Sequence, residues 1–252
     1  MIEIKNRLFQ IGIVVPCYNE ANRISLIEFE KHINKNQNHF FCFVNDGSTD
    51  ITLKTLQTFS CKYPNRVSVV DNKINFGKAE AVRSGINHLL SQKKFDILGF
   101  LDADLSTPLD EIERIVTQFN NDKKLIVFGS RIKHVGGYVE REFIRYILGR
   151  IFATIVSSWL LKIAVYDTQC GFKFFRPIIV KPLFDETFQS KWFFDIELFC
   201  RIKKNFPNTD INKIAQEFFI TTWKDEKGSK IKLSDYFNAP FELIKLKYHY
   251  KI

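Results

Sequence analysis

The first half of the chain alternates short apolar runs with stretches in which apolar residues recur every three or four positions. Ile11–Val15, Phe40–Val44, Val67–Val70, Ile97–Leu101 and Leu125–Phe128 read as buried strands. The stretches between them, near Glu20–Lys35, Asp50–Cys61, Lys78–Leu90 and Asp110–Asn121, have the spacing of helices. Strands alternating with helices predict an α/β fold, a mostly parallel sheet with helices on both faces. Ligands of such sheets bind outside the carboxyl ends of the strands. The residues that follow each apolar run are therefore the first place to look for chemistry.

Those residues are polar, acidic and turn-forming. They are Pro16-Cys17-Tyr18-Asn19-Glu20, then Asn45-Asp46-Gly47-Ser48-Thr49-Asp50, then Asp102-Ala103-Asp104, then Gly129-Ser130-Arg131. Loop chemistry accounts for some of them singly: Asp50 and Thr107 suit helix N-caps and Gly47 a turn. It does not account for two carboxylates two residues apart at a strand end. Side chains at that spacing on an extended chain point the same way. Paired anionic oxygens suit a hard divalent ion, Mg²⁺ or Mn²⁺, which keeps open positions for phosphate oxygens. Arg131, after the next strand, fits either a guanidinium near the same phosphates or a surface ion pair. Lys78 opens a helix, where an anion could meet it, or is a solvated first-turn lysine.

The remaining sequence narrows the class. At 252 residues the chain suits one large domain or two small ones. Lys plus Arg is 37 and Asp plus Glu 28, a formal charge of +9 that favours an anionic partner. A nucleic-acid-binding module is the remote alternative, but the basic residues are dispersed and no nucleic-acid motif occurs, so the expectation is no nucleic acid. Five Cys at wide spacing, with no C-x-x-C pair, indicate a reducing compartment rather than a disulfide framework. No signal-peptide core is visible, and the longest uncharged apolar-rich stretch, Ile151–Leu161, falls well short of the roughly 20 residues a membrane span needs. The expected location is cytoplasmic, peripheral at a membrane surface. Phosphate loops, dinucleotide fingerprints, zinc spacings and nucleophile elbows are all absent.

Taken in order, four segments resemble the family 2 glycosyltransferases of GT-A fold: Val14-Val15-Pro16-Cys17-Tyr18-Asn19-Glu20, Asn45 to Asp50, Gly77-Lys78-Ala79-Glu80-Ala81-Val82, and Leu101-Asp102-Ala103-Asp104-Leu105-Ser106. In the second half, Asp167-Thr168-Gln169-Cys170-Gly171-Phe172-Lys173, Trp192 to Leu198 and Gly228-Ser229-Lys230 resemble the dolichyl-phosphate β-glucosyltransferases and related polyprenyl-phosphate glycosyltransferases. The resemblance runs from about Ile11 to Lys232 and implies one GT-A domain over residues 1–232, with a basic tail at 233–252. It implies a nucleotide-sugar donor, a divalent ion and inversion at the anomeric carbon. Pro16, Tyr18, Glu20 and Asp46 would line the nucleotide pocket. Asp102 and Asp104 would approach ribose, metal and diphosphate, and Lys78 and Arg131 would help hold the donor. Some mannosyl members carry Gln where Ser106 stands, so the metal shell here would differ or use water.

The acceptor decides whether a base is needed. A phosphate monoester, with a second pKa of about 6, is mostly dianionic at neutral pH and attacks unaided. A sugar hydroxyl must lose its proton to a carboxylate. For a phosphate acceptor the candidates are Arg131, Lys173, Lys230 and Ser229, with Asp167 and Gln169 on sugar or acceptor. Lys173 and Lys230 fit solvated surface charges equally, and Asp167 a turn. Asp195 fits a contact to sugar hydroxyls, a base for a hydroxyl acceptor, or, with Glu197, the capped start of a helix. By the resemblance, Asp104, Asp195 and Arg131 would form the catalytic set. A long helical pattern over 141–165 carries Ile144, Leu148, Ile151, Ile155 and Trp159 at three- or four-residue spacing, punctuated by Arg141, Arg145, Arg150 and Lys162. It reads as an interfacial helix on a membrane surface, or as a core helix or dimer interface. Lys245, Lys247 and Lys251 add positive charge. Glucosyl members of the family often carry membrane spans, so a separate membrane-anchoring protein is a further candidate partner. The leading expectation is transfer of a hexose, glucose from UDP-glucose, onto a polyprenyl or dolichyl phosphate. The alternative is a family 2 transferase using GDP-mannose or acting on a sugar hydroxyl.

Overall fold

The computed structural model describes residues 8–120, 123–141, 143–224 and 233–252. The apolar runs form β1 (Ile11–Cys17), β2 (His39–Asp46), β3 (Val67–Asn72), β4 (Ile97–Leu101) and β5 (Ile126–Ser130). Between them lie α1 (Leu26–Lys35), α2 (Thr52–Lys62), α3 (Lys78–Ser91) and α4 (Glu111–Val116), the last closing in a 3₁₀ turn at Thr117–Asn120. Strands extend past their apolar runs because the parallel ladder continues, pairing Cys17 with Asn45 and Asp46 with Asn72. Helix α1 starts only at Leu26, because the Glu20 carbonyl instead closes a turn with the N–H groups of Arg23 and Ile24. Thr107 does not cap α4, which begins after Asp110.

The second half adds β6 (Tyr138–Glu140), α5 (Phe143–Ile155), β7 (Phe172–Phe175), α6 (Pro177–Phe184), α7 (Phe194–Asn205), α8 (Ile211–Ile214), β8 (Ala215–Phe219), β9 (Thr222–Lys224) and α9 (Leu233–Tyr250). The main sheet has the order β3-β2-β1-β4-β7-β5-β8, parallel except for β7, which runs against both neighbours. A small parallel pair joins β6 to β9. Alternation along β1 sends Ile11, Ile13 and Val15 to one core, with Phe29, Leu56 and Ile112 of the helices on that face. Val14 goes to the other, with Val82 and Ile86 of α3 and Phe199 of α7. Helices therefore cover both faces, as the pattern predicts.

The 141–165 pattern becomes α5 and a π-helical turn, Val156–Leu161, that ends at Lys162 in the left-handed region. Val156, Leu160 and Leu161 are buried, whereas Ile147, Leu148, Ile151, Ile155 and Trp159 are exposed. One side thus closes the core and the other presents an apolar stripe. The side chains of Ile144 and Arg145 lie outside those described. Residues 233–252 are not a separate tail. Helix α9 packs Ala239, Leu243, Leu246 and Tyr250 into the core, because apolar positions at helical spacing lie among its lysines. Among the described residues no helix is long and apolar enough to cross a membrane. All five cysteines are free.

A buried histidine pair links α1 to β2. His32 Nε2 lies 2.8 Å from His39 Nδ1, and His39 Nε2 lies 2.9 Å from Glu113 of α4. Burial, together with the neighbouring His39, pushes the His32 imidazole down to about 4 against the opposing Asp110 and Glu113. The unfolded chain takes this proton near 6.5, so it binds more protons than the folded one between those values. Stability is therefore full above about pH 6.5 and lost as pH falls toward 4, by about 2–3 kcal/mol at pH 4.5. Urea unfolding at pH 7 and 4.5 measures this. His32→Gln should flatten that part of the curve, and an equal loss in the variant would remove His32 as its source.

Candidate active site

The carboxyl ends of β1, β2, β4 and β5 share one edge of the sheet, and antiparallel β7 begins there. A cavity of about 630 Å³ opens along that edge, a volume within the range of small-molecule and cofactor sites. Pro16, Tyr18 and Glu20 reach it from β1 and the following turn, Asp46 from β2, and Lys78 from the first position of α3. Asp102 and Asp104 follow β4, Arg131 follows β5, Gln169 precedes β7, and Asp195 lies in the first turn of α7. These sequence-predicted residues are thus brought together.

The first two motifs are joined by hydrogen bonds. Asn19 N–H donates to Ser48 Oγ at 3.0 Å, Thr49 N–H to Asn19 Oδ1 at 2.9 Å, and Glu20 N–H to Thr52 Oγ1 at 2.9 Å. Asp50 accepts from the N–H of Thr52, the first residue of α2, and from that of Ala21 in the neighbouring loop. Asp46 is buried and accepts the N–H groups of Phe76 at 3.1 Å and Gly77 at 2.8 Å. Gly77, at φ +96, supplies the backbone turn that aims its N–H at Asp46 and starts α3 with Lys78. Asp46 therefore shapes the cavity wall while its carboxylate holds the loop.

Lys78 Nζ pairs with Asp102 Oδ1. Burial pulls its ammonium down, but Asp102, Asp195 and Asp104 together hold it above the usual lysine value. Asp104 accepts the Ser106 N–H at 3.0 Å, and Arg23 NH2 lies 4.0 Å from its other oxygen. Gly171 makes room for the Asp102 carboxylate, since a Cβ at residue 171 would collide with it. The two carboxylates are partly exposed to the cavity, and their oxygens fit a hard divalent cation. Among the described residues no cluster of three or more His, Cys, Asp or Glu forms a metal cage. An ion here would complete its shell with water and substrate oxygens.

Two acceptor candidates are placed differently from expectation. Lys173 has no exposed surface, and its ammonium donates to Asp195 Oδ1 at 2.6 Å, Cys170 O at 2.7 Å and Thr168 O at 3.3 Å. With those donors committed beneath the cavity floor it supports Asp195 rather than meeting an acceptor. Alternation along β7 sends Phe172 and Phe174 to one core and turns Lys173 to the other face, under α7. Asp167 is taken up by Arg131 in a bidentate pair at 2.6 and 2.9 Å. Burial alone would raise the Asp167 carboxyl, but the Arg131 guanidinium holds it well below the usual range. Asp167 orients Arg131 instead of offering an open ligand. Ser229 and Lys230 lie outside the described residues. Asp195 does not cap α7, which has Phe193 at that position; Asp195 and Glu197 both lie in its first turn, and Glu197 is buried and accepts from Gln189 N–H, Ser190 N–H, Arg201 and the Tyr250 hydroxyl.

Sequence reasoning missed Arg23, Arg141 and Trp223, all of which line the cavity. Arg23 was hidden by reading 20–35 as one helix, although its place just after Glu20 is a signal. Arg141 and Trp223 sit on or beside three-residue strands that leave no apolar run. Arg131 and Arg141 also wall a small recess off the cavity with Arg150 and Gln169.

The family model for glycosyl transferase family 2 matches residues 12–180. The chain belongs to glycosyltransferase family 2. The transferase is 30% identical over 256 residues to a dolichyl-phosphate beta-glucosyltransferase of Trichomonas vaginalis, spanning 96% of this chain and 74% of that protein. It is 30% identical over 238 residues to the dolichyl-phosphate beta-glucosyltransferase of Homo sapiens, spanning 88% and 69%. Its fold matches glucosyl-3-phosphoglycerate synthase from Mycobacterium tuberculosis in complex with UDP, at a TM-score of 0.66 and 17% identity over 97% of this chain and 81% of that one. A second complex of that synthase, with Mn²⁺, UDP and glucosyl-3-phosphoglycerate, gives 0.65 at 15% identity over 96% and 80%.

Replacing Lys173 separates its supporting role from substrate contact. Lys173→Met in the transferase leaves Asp195 buried without its counter-charge and should cost about 3–5 kcal/mol of unfolding free energy. A lysine that met substrate would instead lose affinity at unchanged stability. Chemical denaturation checks this, and a variant as stable as the parent would return Lys173 to the acceptor site.

Proposed function

We propose that this chain transfers glucose from UDP-glucose, with inversion, to a polyprenyl phosphate of the dolichyl type. The observation that carries the reading is the polarity of the cavity. Asp102, Asp104 and Lys78 line it together with Arg131 and Arg141, and the two arginines also wall a recess beside α5. The carboxylate that meets Arg131 there, Asp167, is already paired. Among the described residues, the recess sets Arg131, Arg141 and Arg150 around one carboxylate, and that carboxylate holds Arg131 instead of standing open as a base for a hydroxyl. The names of the aligned relatives support the glucosyl and dolichyl-phosphate assignments.

In this mechanism Pro16 and Tyr18 border the nucleotide and Asp195 faces the sugar hydroxyls. A phosphate oxygen of the acceptor attacks the anomeric carbon as the bond from that carbon to the diphosphate breaks, and the nucleoside diphosphate leaves. The acceptor needs no proton removed, since a phosphate monoester is already mostly dianionic. Lys78 stands beside Asp102, where charge develops on the departing diphosphate. Asp102 and Asp104 would hold Mg²⁺ or Mn²⁺, which supplies electrostatic stabilisation of that leaving group when bound; the structurally similar synthase forms a complex with Mn²⁺ and UDP. Arg131 and Arg141 orient the attacking phosphate.

The acceptor's lipid tail stays in the bilayer, so the transferase works peripherally at the membrane surface, alone or with a separate anchoring protein. The exposed stripe of α5 and its π turn adjoins α9, where Lys247 Nζ lies 4.0 Å from the Trp159 ring. Helix α9 exposes Phe241, Ile244 and Tyr248. Together these helices offer apolar, aromatic and basic groups to an anionic interface.

Radiolabelled UDP-glucose, a short polyprenyl phosphate and Mg²⁺ or Mn²⁺ should give label in the lipid fraction, abolished by EDTA and reduced about a hundredfold or more by Asp104→Asn. Label from GDP-mannose alone would overturn the sugar, and no lipid label from either donor, in folded protein that binds UDP, would overturn the acceptor. Ile151→Glu with Ile155→Glu should release the protein from anionic liposomes in a flotation assay, while undiminished binding would assign that stripe to another partner.

A further inference from the structure

Asp102 does not stand clear of the sheet. Continuing the register that pairs Leu101 with Phe172 sets Asp102 opposite Gly171, where β7 begins. Side chains of directly opposed residues are close neighbours on one face. Here one of the two is missing, and the Asp102 carboxylate lies across the space it leaves. A Cβ at residue 171 would come within 2.7 Å of Asp102 Cγ and 2.8 Å of its Oδ1, and closer still to Oδ2. Heavy atoms in ordinary contact sit about 3.5 Å apart or more. The backbone itself does not demand glycine, since Gly171 is outside the left-handed region that Gly47 and Gly77 occupy. What the position supplies is room for a carboxylate.

Neither partner can yield freely. Strand β7 is hydrogen-bonded to β4 on one side and β5 on the other, and Lys173, two residues on, is tied to Asp195 and to the Thr168 and Cys170 carbonyls. The main chain of Asp102 is held by the turn that carries Asp104, in which its carbonyl accepts the Leu105 N–H at 3.3 Å. Its Oδ1 is paired with Lys78. A methyl group at residue 171 would therefore be accommodated by turning the Asp102 carboxylate away from Lys78.

We propose that Gly171 is a positioning residue: having no side chain, it lets Asp102 lie across the start of β7 and so fixes where the carboxylate oxygens stand for Lys78 and for a divalent ion. The proposal rests on the reading of Asp102 and Asp104 as the seat of that ion. Groups behind a metal ligand set its orientation, and their loss weakens the ion's binding even though they never touch it. Position 171 does this by sterics alone, without adding or removing charge in the cavity.

The test compares Gly171→Ala, Asp102→Ala and the double variant. Mn²⁺ affinity at saturating UDP is read from the electron paramagnetic resonance of the free ion, and the urea unfolding midpoint is read beside it. Gly171→Ala should weaken Mn²⁺ binding about tenfold or more and lower the midpoint. Asp102→Ala should weaken Mn²⁺ binding too. Because it also removes the obstruction, adding Gly171→Ala to it should leave the midpoint where it was and change Mn²⁺ affinity by no more than about twofold. An equal fall in the midpoint in both backgrounds would make Gly171 a merely structural glycine and overturn the proposal. Unchanged Mn²⁺ affinity in Gly171→Ala, with a loss in Asp102→Ala, would overturn the proposal and leave the metal reading standing. If Gly171→Ala does not fold, a folded double variant places the clash at Asp102 and supports the proposal, whereas an unfolded one, with Asp102→Ala itself folded, overturns it. Unchanged Mn²⁺ affinity in Asp102→Ala would overturn the metal reading and the proposal with it.

Discussion

A single buried ammonium fixes the spacing of the candidate site. Burying a charge costs several kcal/mol unless partners replace water, and Lys173 finds its partners in two separate pieces of chain. The carbonyls of Thr168 and Cys170 belong to the loop that opens β7, and the Asp195 carboxylate belongs to the first turn of α7. Satisfying one ammonium therefore sets where the loop with Gln169 and Gly171 lies relative to the helix with Asp195. Because β7 lies between β4 and β5, with Lys173 in register with Phe100 and Phe128, the same strand lays Gly171 against Asp102. The metal-suited carboxylates, Asp195 and the arginine-bearing edge are all referred to one strand that runs against its neighbours.

That strand is also where sequence reading was weakest. The parallel strands were legible because each is a short apolar run at a topological position that makes the next residues informative; Asp102, Asp104 and Arg131 were found that way, and Lys78 as the start of a helix. β7 is Phe172-Lys173-Phe174-Phe175, a run broken by the lysine that matters most. In sequence a lysine counts as solvated, and only the oxygens around it show otherwise. The motif identified the segment by resemblance but not the direction in which Lys173 points. Helix α9 failed for the converse reason: its lysines are conspicuous, while Ala239, Leu243, Leu246 and Tyr250 form a core face visible only once α7 and the π turn are beside it. Arg141 and Trp223 depend on β6 and β9, which pair with each other across a long separation in sequence, so neither strand has a local signature.

The formal charge of +9 similarly says little until it is placed. Several of the cations behind it are held in pairs: Arg131 with Asp167, Lys173 with Asp195, Arg201 with Glu197, Lys78 with Asp102. These pairs orient groups and contribute little net field.

The same helices that wall the cavity present the apolar surface. α5 turns Gly149 and Phe152 toward the cavity and exposes Ile151 and Ile155. α9 turns Ala239 to it and exposes Phe241, Ile244 and Tyr248. α9 is anchored at its far end by Tyr250, whose hydroxyl donates to Glu197 at 2.6 Å, and Arg201 donates to the same carboxylate at 2.9 Å. Glu197 also accepts the N–H groups of Gln189 and Ser190, in the segment leading to Trp192 and Asp195. A lipid-linked acceptor calls for this arrangement, since its phosphate must enter the cavity while its tail stays outside. If the docking surface were on a separate, loosely joined element, each encounter with the membrane would leave the phosphate's approach undefined. On the proposed function, building cavity wall and outer stripe from the two sides of the same helices, and locking one of them to the helix that carries Asp195, would make seating on a membrane surface and aiming at the sugar a single geometric event.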